Sequence, residues 1–215
     1  MRIPLDLGQG LSTSGVVYTF DGLCDRREHL CIRFGDPDED PPLVRLHSEC
    51  LTGDVLGSQR CDCGPQLHES IERISATGGY LLYLRQEGRG IGLYAKLDAY
   101  VLQENGLDTF DANLALGYSE DERDYTVAAQ MLRAIGLHRV ALLTNNPDKV
   151  TQLCSHGIEV VRRVPTGVHL TTANARYLAA KADRGAHALD LPQLAAAGDE
   201  EVVPGVSGGS VGRVC

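Results

Sequence analysis

Short apolar runs alternate along the chain with stretches in which apolar positions recur every three to four residues, and the two periods divide it into elements. The runs GVVYTF (15–20) and HLCIRFG (29–35) read as strands, and the Pro/Asp-rich DPDEDPP after them reads as a turn or loop. In QLHESIERISATGG the period lengthens: Leu67, Ile71 and Ile74 share a helical face, and the pattern stops at Gly78-Gly79. YLLYLRQ is strand-sized and rich in β-forming residues. GLYAKLDAYVLQENG returns to the helical period, with Leu93, Leu97 and Val101 on one stripe closed by Asn105-Gly106. DYTVAAQMLRAIG is a helix ending at Gly136, and RVALLT is a strand. NPDKVTQLCSHG is a helix with Pro147 early and Gly157 after its end, and IEVVRRV is the next strand.

Strands alternating with helices predict an α/β fold, a mixed sheet flanked by helices in a single compact domain over 15–189. The unit from Arg139 to Val164 is expected to make a right-handed parallel crossover. Residues 1–14 are expected to be weakly structured, and so is 190–215, whose Gly, Ser and Val offer few anchors. At 215 residues the chain can bury a substantial core as one domain. No apolar run reaches the length of a membrane span, and MRIPLDLGQG lacks an apolar signal region, so the expected compartment is the cytoplasm. A net charge of −9 argues against binding nucleic acid or a membrane surface, yet leaves room for an anionic small ligand at a locally basic site. Seven cysteines, an odd number without a secretory signal, argue against a disulfide framework and for metal binding or burial.

The densest chemistry lies in VRLHSECLTGDVLGSQRCDCGPQL, residues 44–67, where Cys50, Cys61 and Cys63 follow the spacing C-x10-C-x-C. A structural zinc site normally draws four ligands from two C-x2-C knuckles, and here there is one C-x-C with a single cysteine upstream. Two arrangements fit that spacing. His47, or Cys154 or His156 through space, closes a four-ligand structural site; or the fourth position stays open for a water whose pKa the ion lowers. Glu49, Asp54 and Asp62 adjoin the cysteines, either as proton-handling groups or as solvated surface carboxylates.

Three further stretches carry candidate chemistry. RQEGRGIGL (85–93) runs from a strand through Gly88, Gly90 and Gly92 into a helix, a geometry that presents N–H groups to an anion, and Arg85 and Arg89 add forked donors; the alternative is a simple turn. LLTNNPDKV puts Thr144 at a strand end and Lys149 in the first turn of a helix, where ligands gather in open α/β sheets; the alternative is an ordinary connection with Asn capping. SEDERDY sets Glu120, Asp121, Glu122 and Asp124 around Arg123 before a helix, reading as capping charges or as a held cation. Lys96 and Tyr100 lie one helical turn apart and share a face.

In order and spacing, RLHSECLTGDVLGSQRCDCGPQL, RQEGRGIGL, YSEDERDY and LLTNNPDKV resemble the signature blocks of GTP cyclohydrolase II, a family of zinc enzymes that open the guanine ring of GTP. The resemblance runs from Val44 to about His187, and four blocks in register make it specific. It implies that Cys50, Cys61 and Cys63 are the zinc ligands of an open site, one ion per subunit. It implies GTP contacts at Arg45, Leu46, His47, Ser48, Glu49, Gln66, Glu87, Gly88, Arg89, Thr109, Thr144 and Lys149. Asp121 matches the family's proton acceptor, Arg123 its nucleophile, and Tyr100 a tyrosine acting near the base. The implied reaction converts GTP and water to formate, pyrophosphate and 2,5-diamino-6-(5-phosphoribosylamino)pyrimidin-4(3H)-one, with Mg2+ assisting, in a homodimer that starts riboflavin biosynthesis. The same chemistry serving a specialised metabolite, or a noncatalytic GTP-binding homologue, are the alternatives. Near the C-terminus YLAAKADRGAH keeps Tyr177, Lys181 and His187 but has Ala180 where threonine is usual.

Overall fold

The computed structural model describes residues 1–8, 10, 12–37, 40–119, 121–175 and 178. Its strands are β1 (Arg2–Asp6), β2 (Ser12–Tyr18), β3 (Leu30–Phe34), β4 (Leu43–Ser48), β5 (Gly79–Leu84), β6 (Arg139–Leu143) and β7 (Glu159–Val164). Its helices are α1 (Leu51–Asp54), α2 (Cys63–Thr77), α3 (Leu93–Glu104), α4 (Thr109–Ala115), α5 (Thr126–Ala134) and α6 (Pro147–Ser155). The strands form one sheet in the order β1-β2-β3-β5-β4-β6-β7. β1, β2, β3 and β5 pair antiparallel, whereas β4 runs parallel to β5 and β6, and β6 parallel to β7. This is the mixed, helix-flanked α/β sheet the patterning predicts, with the parallel pairing of β6 and β7 through α6 included.

Side-chain alternation along β4 decides what the fold does with its central strand. Successive residues of a strand point to opposite faces. Val44 and Leu46 enter a large core with Leu82, Leu84, Tyr125, Met131 and Leu142. Leu43 packs in the second cluster, with Phe34, Ile71, Ile74 and Leu81. Arg45 and His47, on the same side as Leu43, are also buried. They lie opposite Leu81 and Tyr83 of β5. One face of β4 therefore builds the core while the other delivers polar groups to the carboxyl end of the parallel strands.

Two expectations are overturned. Residues 2–6 are not weakly structured: Arg2–Asp6 pairs with Ser12–Tyr18, and Leu5 and Leu7 pack on the cluster of Phe34, Ile71 and Ile74. The alternation in RIPLDL is the period of a half-buried strand, and its pairing partner lies only a short turn away. The second concerns α3, where Leu97 and Val101 are 41% and 57% exposed while Lys96 and Ala99 are buried. The polar side of the helix faces inward because it lines a cleft. The expectations for Glu120, Tyr177, Ala180, Lys181, His187 and the 190–215 tail lie outside the described residues.

Beyond β7 the chain is tied to α2 by Glu69, whose carboxylate accepts from the Gly167 N–H (2.9 Å), from His169 Nε2 (2.9 Å) and from Arg73 Nη1 (3.0 Å). Burial raises the pKa of this carboxyl, but those three partners outweigh it and leave the group below its ordinary 4.5. A carboxyl depressed on folding stabilises the protein above its unfolded value, and the contribution fades as pH falls through the folded value. The gap in urea midpoint between the wild type and Glu69→Gln is therefore expected to be constant above a pH of about 5.5 and to close below about 4.5. A gap that widens on acidification would contradict this anchoring.

Candidate active site

The carboxyl ends of β4, β5 and β6 open into one cleft, about 1090 Å³ with its open mouth included. Such strand ends are where α/β sheets place ligands. Loops leaving the three strands, the inward side of α3, and α4 complete its walls.

At one corner stand the three thiols. Cys50 precedes α1, Cys61 sits in the turn before α2, and Cys63 begins α2, so the helix N-terminus adds partial positive charge beside its sulfur. The three Sγ atoms lie within 4.8 Å of one another, with Cys50 and Cys61 3.6 Å apart. Tetrahedral Zn–S bonds of about 2.3 Å require sulfurs about 3.8 Å apart, so the cluster has the right span. Gly53 of α1 makes the room: a Cβ there would sit 2.9 Å from Cys61 Sγ and 3.2 Å from Cys50 Sγ. Hydrogen bonds from Cys61 and Cys63, helped by the nearby Lys96 charge, hold the Cys50 thiol far below its ordinary range. The donor set and its cradle fit a thiophilic divalent ion. Among the described residues no fourth metal-binding side chain joins the cluster. His47 is engaged elsewhere, Cys154 is exposed on α6, and His156 pairs with Thr126.

His47 is held by its neighbours. Its Nε2 bonds Asp54 at 3.1 Å, and the Asp54 carboxylate also accepts from Tyr83 Oη (2.8 Å) and the Cys50 N–H (3.0 Å). Burial lowers the imidazole pKa against the pull of Asp54, which favours the neutral ring. With Nε2–H donated to Asp54, the buried and unpartnered Nδ1 is left as an acceptor in the cleft. Asp54 thus has a positioning task, whereas Asp62 pairs with Gln66 and Glu49 with Arg85.

The opposite wall is basic although the chain is acidic. Arg45 donates to Leu143 O (3.1 Å) and to Gln66 Oε1 (3.0 Å), and Gln66 in turn donates to Asp62 (2.5 Å). Lys149 Nζ donates to Leu46 O (2.8 Å) and lies 5.4 Å from the Tyr125 ring. Arg89 stacks over Phe110 of α4 at 4.4 Å. Arg123 grips Asp121 through Nε (2.8 Å) and Nη2. Burial raises the Asp121 carboxyl, but the Arg123 hydrogen bonds outweigh it and keep it ionised below its ordinary range. Burial raises the Tyr100 phenol, which stays protonated beside the thiols.

Of the residues singled out from sequence, Arg45, His47, Ser48, Glu49, Gln66, Glu87, Gly88, Arg89, Thr109, Thr144 and Lys149 line this cleft, together with Tyr100, Arg123 and the three cysteines. Leu46 does not: its side chain is in the core, and only its carbonyl reaches Lys149. Asp121 reaches the cleft only through Arg123. Arg85 turns away to Glu49 and does not join the anion-binding wall. Sequence reasoning assigned no task to Lys96, Asn113 or Thr166, which the cleft contains. Thr166 is held there by both hydrogen bonds of the Asn145 amide, across a separation that no local pattern reveals.

Three convergent thiols able to hold a metal ion and a set of buried and half-buried cations share one cleft. A family model described as GTP cyclohydrolase II matches residues 11–165, starting well before the motifs that carry the resemblance. Over 192 residues the chain is 50% identical to GTP cyclohydrolase-2 of Vibrio cholerae, covering 88% of this chain and 97% of that one. It is 48% identical over 193 residues to GTP cyclohydrolase-2 of Psychromonas ingrahamii, covering 89% and 96%. It is 51% identical over 192 residues to the riboflavin biosynthesis protein RibBA of Bacillus subtilis, covering 88% of this chain and 47% of that longer protein. The chain belongs to the GTP cyclohydrolase II family.

Proposed function

We propose that the chain hydrolyses GTP to 2,5-diamino-6-(5-phosphoribosylamino)pyrimidin-4(3H)-one, formate and pyrophosphate, with Zn2+ on Cys50, Cys61 and Cys63 and with Mg2+, as the entry step of riboflavin biosynthesis. The observation that carries this reading is the joining, in one cleft, of a three-thiol corner to a wall of buried and half-buried cations. Zinc held by Cys50, Cys61 and Cys63 would supply a water of lowered pKa and Lewis acidity at that corner of the cleft.

The other roles belong to the chain. The Arg123 guanidinium, oriented by Asp121, clamps the α-phosphate and offsets charge that develops on it; a guanidinium remains protonated at working pH, so a clamp suits it better than a nucleophile. Lys149, Arg45 and Arg89 bind and orient the nucleotide, with Thr109, Thr144 and Gln66 offering neutral partners. His47 Nδ1 accepts a hydrogen bond from the purine ring, and Tyr100, protonated and near the thiols, gives a proton to the opened base. The exposed apolar face of α3, with Tyr94 82% exposed beside Leu97 and Val101, supports a homodimer. No helix among the described residues is long and apolar enough to cross a membrane, and the proposed compartment is the cytoplasm.

The test is product analysis of zinc-loaded protein with GTP and Mg2+, by mass spectrometry for the pyrimidine and separate assays for formate and pyrophosphate. All three products in equal amounts are expected. GTP bound without turnover would make the chain a binding module, and pyrophosphate without formate would sink the assignment of ring opening.

A further inference from the structure

Lys96 is buried in the wall of the cleft, and its ammonium has three protons to place. All three have partners: Glu87 Oε1 at 2.8 Å, Thr52 Oγ1 at 2.9 Å and Cys50 Sγ at 3.2 Å. The Glu87 carboxylate is itself fixed, accepting the N–H groups of Leu51 (2.6 Å) and Gly88 (3.0 Å). Gly88 also leaves space for the lysine stem, since a Cβ there would come within 3.0 Å of Lys96 Cβ. Backbone, carboxylate and hydroxyl together aim one N–H of a cation at one sulfur of the cluster.

We propose that Lys96 is a positioning residue that acts through Cys50, donating a charge-assisted hydrogen bond to its sulfur and so tuning the metal that the three cysteines hold. This rests on the reading that the cluster binds a divalent ion. Three thiolates on a divalent ion leave one net negative charge, which weakens it as a Lewis acid. A donor on one thiolate draws electron density from that sulfur and restores part of the acidity. Glu87 cancels the ammonium charge at long range, but the pair is a fixed dipole with its positive end on Cys50. Only Cys50 receives this contact, so the three sulfurs become unequal donors, with the Cys50 bond the weakest. No substrate contact is needed for this task, because the ammonium's protons are already spent on the protein.

The probe is Co2+ titrated into the metal-freed full-length protein, read by its sulfur-to-cobalt charge-transfer absorption. Lys96→Met is expected to bind one Co2+ with that band moved to lower energy, because a thiolate without its donor gives up an electron more readily. In the zinc-loaded protein the same variant should lose about 10–100-fold in kcat, with the KM for GTP nearly unchanged. A band identical to wild type overturns the proposal and leaves Lys96 as the partner of Glu87. Should Lys96→Met not fold, Lys96→Arg takes its place: the charge stays but a planar fork replaces the ammonium, and a smaller shift in the same direction is expected, an unmoved band again being fatal. A wild-type protein that gives no sulfur-to-cobalt band overturns the metal reading itself, a result distinct from failure of the Lys96 assignment.

Discussion

Cys61→Ser is expected to lose stoichiometric zinc and, with it, GTP turnover by about 10³-fold or more, because losing a ligand exceeds the roughly 10–100-fold typical of losing an outer partner. The side chain is buried and 3.6 Å from Cys50 Sγ, so serine fits the space without strain. It does not fit the chemistry: an alcohol stays protonated where a thiol ionises, and the ion would have two thiolates where it needs three. Thermal unfolding of the metal-free protein should hardly change, since no packing volume is added and little is removed. Bound zinc measured by elemental analysis, beside formate release, checks the result. One zinc per chain and wild-type formate release in this variant would remove Cys61 from the ligand set.

Gly53→Ala is expected to act on the same property through shape alone. Gly53 has no positive φ, so alanine suits its backbone and removes the entropic cost of glycine in a helix, a gain of about 0.5–1 kcal/mol in the metal-free protein. Yet the new methyl would stand 2.9 Å from Cys61 Sγ, 3.1 Å from Cys63 Cβ and 3.2 Å from Cys50 Sγ, inside van der Waals contact with all three. Retreat is blocked behind it, because α1 meets α2 glycine to glycine: a Cβ on Gly64 would be 2.5 Å from Gly53 O. The sulfurs must spread and zinc affinity should fall by about 10–100-fold, while in the metal-free protein the crowding of Cys63 Cβ offsets the gain from removing glycine, so that its stability stays near or falls below wild type. Chelator competition and urea unfolding separate these effects. Unchanged affinity would mean the cluster closes on the ion in another way.

Local chemistry made much of the molecule legible. The β6-α6-β7 unit follows from apolar periods and from Pro147 and Asn146 at the helix start, where the Asn146 side chain caps the Asp148 N–H at 2.9 Å. The thiol cluster follows from spacing, since a short turn and a helix start bring Cys61 and Cys63 beside Cys50. The strand β1 and the helix α4 were missed although each has a local signal: the alternation of RIPLDL, and Asp108, which accepts from the Phe110 and Asp111 N–H groups.

Other features have no local signature. The period of α3 locates an apolar stripe but not which side turns inward, and the inward side proved to be that of Lys96 and Ala99. Leu46 lies among cleft residues in sequence, and the two-residue alternation of β4 sends it to the core instead. That His47 stands apart from the thiol cluster was not legible either: its Nε2 is taken by Asp54, which also accepts from Tyr83 of β5. The bond from Lys96 to Cys50 spans 46 residues, and that between Asn145 and Thr166 spans 21. Periodicity and spacing report what neighbours along the chain do to one another. Burial and partnership depend on which distant segments the sheet brings together, and here that pairing gave the thiols their lysine and the cleft its basic wall.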